Sequence, residues 1–191
     1  MLKQLKTDYE DQNVLFIEQD VDAPFGNRLD RWFDAFNTGG DIYLPLVLTD
    51  SGHRISNGSE DFSHVYKGIV DDALLRSAGA MMTVEGTRNG DVLSFDIQLT
   101  NGSGVTLSAT NDATLTALVY EEPTNSSEIP LVAAAATSPI ATLDDGAAAS
   151  FTFEVAVGGL DAGRTRWVVI ADYLPPDSNR AYNMLQAVAG P

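Results

Sequence analysis

Apolar positions in the first eighty residues recur at two spacings. Over residues 2–12, Leu2, Leu5 and Tyr9 stand three and four apart, which predicts one amphipathic helix. Val14 to Ile17 (VLFI) follow as an unbroken apolar run, the pattern of a strand buried on both faces and so of a parallel sheet. After the acidic turn Asp20-Val21-Asp22-Ala23-Pro24, the segment from Asn27 to Phe36 sets Leu29, Trp32, Phe33 and Phe36 on one helical face, and Gly39-Gly40 ends it. Ile42 to Thr49 (IYLPLVLT) reads as a second buried strand interrupted by Pro45. Asp50-Ser51-Gly52 then turns the chain into His53-Arg54-Ile55-Ser56, an antiparallel hairpin. From Ser59 to Ser77, Phe62, Val65, Tyr66, Ile69, Val70, Ala73 and Leu74 repeat at helical spacing behind a Ser or Asp cap, and Ala78-Gly79 closes the helix. The expected order is helix, strand, helix, strand, strand, helix.

After residue 80 the period changes. Short runs rich in Val, Leu, Thr and Phe are punctuated by turn residues: MMTVEGT, Asn89-Gly90, VLSFDIQLT, then Asn101-Gly102-Ser103-Gly104. Leu93 to Leu99 alternate apolar and polar, a half-buried strand, and further strands are expected at Thr114 to Tyr120, Ala148 to Val157 and Arg166 to Tyr173. This texture predicts an antiparallel sandwich of Ig-like type. Two textures in series predict two domains, 1–78 and 80–191, with the boundary near residues 77 to 82. No repeat links the halves.

Composition narrows the function classes. The chain has 191 residues, 44% hydrophobic and 20% charged, enough apolar material for a packed core. Its formal net charge of −16 repels phosphate backbones and anionic lipid, so neither nucleic acid nor a membrane surface is an expected partner. Residues 131 to 141 (LVAAAATSPIA) are too short to span a bilayer, and no membrane span is expected. The start, MLKQLKTDYEDQ, is helical in pattern rather than a signal peptide, so either the protein is intracellular or Met1 stands at a truncated start. There is no cysteine, which excludes thiol-disulfide chemistry by the chain as it stands.

The element order of the first part, with a proline at the start of the second strand (Tyr43-Leu44-Pro45-Leu46-Val47-Leu48), resembles the later portion of the thioredoxin fold. The resemblance implies that Leu44-Pro45 is a cis peptide, as X-Pro bonds allow. It also implies a first core strand and a Cys-x-x-Cys that this chain lacks: residues 2 to 12 stand where the family's first helix does. The chain as a whole is similar to bacterial surface or secreted proteins, including Omp28-like proteins, in which a thioredoxin-like domain precedes a β-sandwich. The expected fold class is therefore α+β in two domains, an incomplete thioredoxin-like α/β domain followed by an antiparallel Ig-like β-sandwich. An unfilled strand position leaves backbone groups unpaired, and three donors present themselves: upstream residues, the tail Ala181 to Ala189, or another copy of the chain by strand addition. Head-to-tail donation that does not close gives a polymer.

Candidate sites are sparse. His53 and His64 are the only histidines, and a zinc site needs both together with carboxylates such as Asp50 or Asp61, so no metal is expected. Ser51, His53 and Asp50 form a hydrolase triad only on paper, without the G-x-S-x-G elbow. Asp20 and Asp22, and Asp144-Asp145-Gly146, hold oxygen ligands but match no EF-hand loop and read as turns. Asn57, Asn101 and Asn125 match the glycosylation acceptor pattern. Trp32 and Trp167 read as core anchors.

The expectation is a non-enzymatic, extracytoplasmic (secreted or cell-surface) binding or structural protein, without cofactor, whose partner is a protein or itself as a homo-oligomer or strand-addition polymer. Its rival is a thiol-disulfide oxidoreductase whose Cys-x-x-Cys segment lies outside this sequence. A third reading is an intracellular adaptor.

Overall fold

The computed structural model describes residues 2–20, 31, 43, 46–58, 62–178 and 181–191. The chain opens with helix α1 (Leu2–Asp8), forms the antiparallel hairpin of β1 (Leu46–Thr49) and β2 (Arg54–Asn57), and enters helix α2 (Phe62–Leu74). Strands then dominate: β3 (Ala80–Asn89), β4 (Val92–Asn101), β5 (Leu107–Ser108), β6 (Thr114–Glu121), β7 (Val132–Pro139), β8 (Thr142–Leu143), β9 (Ala148–Ala156), β10 (Thr165–Tyr173) and β11 (Asn183–Gly190).

These strands make a three-stranded sheet in the order β3-β4-β9, a four-stranded sheet in the order β11-β10-β6-β7, and the small pair β5-β8. Among the described residues every pair of these strands is antiparallel. The turn read at Asn89-Gly90 joins β3 to β4 through Gly90 and Asp91, with Asn89 opposite Val92 and Gly90 at φ +61°. Glycine takes that conformation without a Cβ penalty.

The two larger sheets share one interior. Leu93, Phe95, Ile97 and Leu99 from β4, with Val155 from β9, meet Leu115, Ala117 and Val119 from β6 and Trp167, Val169 and Ala171 from β10. Phe95 is the hub: its ring lies edge-on to Trp167 at 5.3 Å and 5.5 Å from Phe153. The Trp167 indole fits because Gly86 on β3 and Gly190 on β11 have no side chain. A Cβ at Gly86 would stand 2.7 Å from the indole nitrogen, and one at Gly190 would overlap the ring. Alternation in β4 thus has the expected consequence, odd positions inward and even positions outward.

The central strands of the four-stranded sheet do not alternate. Residues 114–120 of β6 and 167–173 of β10 are buried without a break. Their outward side chains, Leu118, Val168 and Ile170, form a second cluster with Val132, packed by Ala135, Met184, Ala187 and Ile17 from the N-terminal part. The sheet is covered on both sides, and that is why its strands are apolar on both.

Among the described residues the N-terminal part has a core of its own. Leu5 and Tyr9 of the first helix and its end meet Tyr66 and Val70 of α2, with Val14, Phe16 and Val47 at the margin. Residues 14–17 correct the expectation of a doubly buried strand in a parallel sheet. Val14 and Phe16 turn towards this core, Ile17 towards the four-stranded sheet, and Leu15 is 43% exposed. Among the described residues the segment's ladder contact is a parallel bridge from Glu18 to Leu131, with Glu18 N–H donating to Pro130 O and Val132 N–H to Glu18 O, each 2.9 Å. At Glu18 it runs beside the start of β7. The tail 181–189, a candidate donor for an empty strand position, is instead β11, paired with β10. Leu44-Pro45, and the helix expected over Asn27 to Phe36 apart from Arg31, lie outside the described residues.

Candidate functional site

The most concentrated chemistry among the described residues lies at one end of the outer face of the four-stranded sheet, where the N-terminal part is seated. Thr114 and Asp172 are directly opposite in the β6–β10 register and both point outward. Buried there without partners, a carboxylate and a hydroxyl would be costly. Arg31 reaches them from the N-terminal part: its Nη1 donates to Thr114 Oγ1 at 2.7 Å and lies 3.4 Å from Asp172 Oδ1. Its Nη2 donates to the Asp112 carbonyl at 2.9 Å and pairs with Asp112 Oδ1 at 2.7 Å. Thr114 Oγ1 in turn donates a hydrogen bond to Asp172 Oδ1 at 3.1 Å, so the hydroxyl both accepts and donates.

The remaining wall is aromatic. The guanidinium carbon stands 4.5 Å from the centre of the Tyr182 ring, a cation–π arrangement. Tyr182 Oη donates to Asp112 Oδ2 at 2.5 Å. Burial, then this bond to Asp112, pushes the Tyr182 phenol well above its usual value, so it stays a donor throughout the physiological range. Asp112 is held in the left-handed conformation, φ 50°, at the end of the short turn Ala109–Asn111, which Ser108 and Asn111 close with a reciprocal pair of bonds. Turn chemistry thus delivers both the carbonyl and the carboxylate of one residue to one guanidinium. Every polar group in this socket has a partner inside it, and no group of three or more metal-capable side chains occurs among the described residues.

A second contact lies beside it. The turn Asp50–Gly52 runs through three successive positive φ angles, 48°, 63° and 100°, two of them at non-glycine residues. That conformation is costly for Asp50 and Ser51, and Arg76 braces it. Arg76 Nη1 donates to Asp50 Oδ2 at 2.7 Å while Nη2 donates to Asn183 Oδ1 on β11. His53, Arg76, Asp177, Ser178, Tyr182 and Asn183 border an open hollow of about 400 Å³. Partial desolvation first, then the neighbouring Arg76 and Arg54, hold the His53 imidazole below its usual pKa, with Asp50 and Asp72 acting the other way.

The other candidate residues fall apart. Asp50 is engaged by Arg76, Ser51 is buried and His53 exposed, so no triad forms. His64 sits in the first turn of α2, away from the His53 turn in the chain, and Asp61 and Asp22 lie outside the described residues. Asp144 accepts from Thr106 Oγ1 and Asp145 from the Gly104 N–H, so both brace the turn at Gly146, where φ is +75°. Asn101 is fully buried and donates both amide hydrogens, to Val105 O and Leu143 O, which leaves its nitrogen inaccessible to a glycan. Asn57 accepts from the Tyr43 N–H, and Asn125 is exposed and caps its own turn through Ser127. Trp167 is the core anchor expected of it; Trp32 lies outside the described residues. No described helix is long and apolar enough to cross a membrane.

No protein-family model matches this chain. Nor does any curated protein. Among solved structures the fold is related to that of HBP35 of Porphyromonas gingivalis, with a TM-score of 0.53 and 15% identity over 85% of this chain and 57% of that one. The chain therefore spans a little over half the length of that neighbour, and the likeness is one of fold alone. Red sea bream transglutaminase overlaps weakly, with a TM-score of 0.38 and 11% identity over 76% of this chain and 22% of that one.

Proposed function

We propose that this chain is a non-catalytic, extracytoplasmic protein of binding or structural assembly, in which a thioredoxin-like unit over residues 1–78 is joined to an Ig-like sandwich over 80–191. The observation that carries the reading is the use made of buried polar groups. Arg31, Asp112, Thr114, Asp172 and Tyr182 satisfy one another, which suits a joint between parts better than an active site. Catalytic groups need spare valence towards a substrate.

Strand order supports the Ig-like half. Lettered from β3 onward with the two-residue β5 and β8 left out, the sheets read A-B-E and G-F-C-C′. The fourth strand β7 pairs with β6 rather than with β9, which places it in the other sheet from the constant-type arrangement. Phe95 and Trp167 meet across the sheets on the two strands that an antibody domain links by a disulfide, so aromatic packing serves where a cysteine-free chain has no bond to offer. For the N-terminal half, the order helix, apolar segment, antiparallel hairpin, helix agrees with the later part of a thioredoxin-like domain.

Assembly by strand addition uses β1, whose ladder among the described residues runs to β2 alone. Size-exclusion chromatography with light scattering, followed by negative-stain imaging, tests it. Large ordered species are the expected result; a monomer at every concentration removes the assembly reading and leaves binding. Fractionation of the source cells tests the location, with recovery in the cytoplasm counting against it.

A further inference from the structure

Polar groups at the two ends of one sheet face fare differently. On the outer face of the four-stranded sheet, Thr114 and Asp172 at one end are bonded to each other and to Arg31. At the other end Tyr120, two positions beyond Leu118, stands opposite Arg166, two positions before Val168. Tyr120 is 7% exposed, yet among the described residues its hydroxyl makes no hydrogen bond. A buried tyrosine ordinarily finds a partner for that group. The oxygen is not sealed in, and the open space that Tyr120 borders is a cleft of about 420 Å³ between the sheet and the N-terminal part.

The cleft has an apolar wall and a basic corner. Leu15, the residue of the VLFI run left 43% exposed, borders it with Phe16, while Pro123 and Pro130 have no N–H to offer. Lys6 reaches the same space. Its ammonium donates to one neutral acceptor, Glu128 O at 2.6 Å, and among the described residues no carboxylate pairs with it. Glu122, which also borders the cleft, is taken up by Arg166 at 2.8 Å. In a chain with 27 acidic side chains against 11 basic ones, an ammonium without a carboxylate partner beside an open cleft is free to meet an incoming anion.

We propose that this cleft binds a small carboxylic acid with an apolar body, an aryl or alkyl carboxylate. Its carboxylate accepts from Tyr120 Oη and Lys6 Nζ, and its body lies on Leu15, Phe16 and the prolines. The volume suits a ligand of that class. A carboxylate is called for because both open groups are donors. Desolvation, then Glu122, hold the Tyr120 phenol above its usual pKa against the pull of Arg166, so it keeps its proton, and the ammonium has N–H groups to spare. The cleft is separate from the edge of β1, so this goes beyond the assembly reading and stands whether or not the chain assembles.

The test is a titration of the nitrogen-15-labelled full chain with 2-naphthoate and with octanoate, which separate aryl from alkyl bodies. Saturable shifts of the Leu15, Phe16, Tyr120 and Arg166 amides are expected with one or both. The neutral 2-naphthamide, with the same rings, should bind about tenfold more weakly or less. Tyr120→Phe removes a hydroxyl that has no partner in the protein, so the melting temperature should hold while binding of the acid weakens about tenfold. Lys6→Gln should narrow the gap between acid and amide. The proposal is overturned if neither acid gives a saturable shift, if the shifts map elsewhere, if acid and amide bind alike, or if Tyr120→Phe binds as tightly as the parent. Shifts of the same amides on diluting the ligand-free chain would assign the cleft to a second copy and reject the acid.

Discussion

The space between the two large sheets and the space between α1 and α2 are both apolar, but they are filled on different terms. The first is lined by strands of both sheets that present Leu, Ile, Val, Phe and Trp from opposite sides, and it is closed at its ends by β5, β8 and the Asn101 turns. The second rests on Leu5, Tyr9, Tyr66 and Val70, two of them tyrosines whose hydroxyls also need partners. The outer face of the four-stranded sheet adds further contacts, from Ile17 and Arg31. Contacts of Ile17 and Arg31 cross the boundary expected near residues 77 to 82, and both side chains rest on the strands of the four-stranded sheet.

The largest effect is expected in the sandwich interior. Trp167→Ala or Phe95→Ala should cost about 3–5 kcal/mol and lower the denaturant midpoint of strand and helix signals together, because both parts rest on these sheets. A loss confined to the strands would break the comparison. Arg31→Met leaves Asp172 buried without its cation and should cost about 3 kcal/mol, seen first as faster amide exchange in residues 2–20 and 46–74 while the sandwich interior stays protected. Adding Asp172→Leu should recover most of that loss, since an apolar pair of similar size suits a buried position as well as an ion pair does. Gly86→Ala crowds the Trp167 indole and should cost about 2 kcal/mol, again across the whole chain.

Smaller effects sharpen the other side. Tyr9→Phe removes a hydroxyl that donates to Asp71 Oδ1 at 2.5 Å, and about 1 kcal/mol should be lost from the helical part alone. His53 contributes least. Its folded pKa lies below the unfolded value near 6.5, so between the two the unfolded chain binds more protons. Stability is then full above about pH 6.5 and falls as the pH drops through that value towards the lower folded one. Melting temperature recorded against pH should show this acid-side decline, and His53→Gln should flatten it; an unchanged slope would mean that the hollow beside Arg76 does not sense protons.

Much of the architecture was legible in the sequence because its signals are local. Leu93 to Leu99 alternate, and β4 follows; Asn89-Gly90 sits between two strand patterns, and the hairpin follows; Val65 to Leu74 repeat at helical spacing, and α2 follows. What the pattern missed depends on contacts distant in the chain. The run Val14 to Ile17 has the composition of a central strand, but its four side chains are divided among two clusters and solvent. Periodicity cannot distinguish those outcomes in four residues. Leu118, Val168 and Ile170 did carry a signal, since unbroken apolar runs in β6 and β10 call for burial on both faces. Arg31 carried none. Its partners are 81, 83 and 141 residues further on, and nothing in its neighbours marks it as other than a surface arginine.

The glycine slot around Trp167 makes the protein its own spectrometer. An indole enclosed by Phe95, Gly86 and Gly190, whose N–H meets no acceptor among the described residues, emits in an apolar, water-free surrounding, at the blue end of the tryptophan range. The slot is built from β3, β4, β10 and β11, so parting of either sheet from the other admits water to the ring and moves the colour of its light. Replacing Trp32 by Phe would leave that one lamp burning inside the sandwich, and its hue would follow the closure of the sheets without any label.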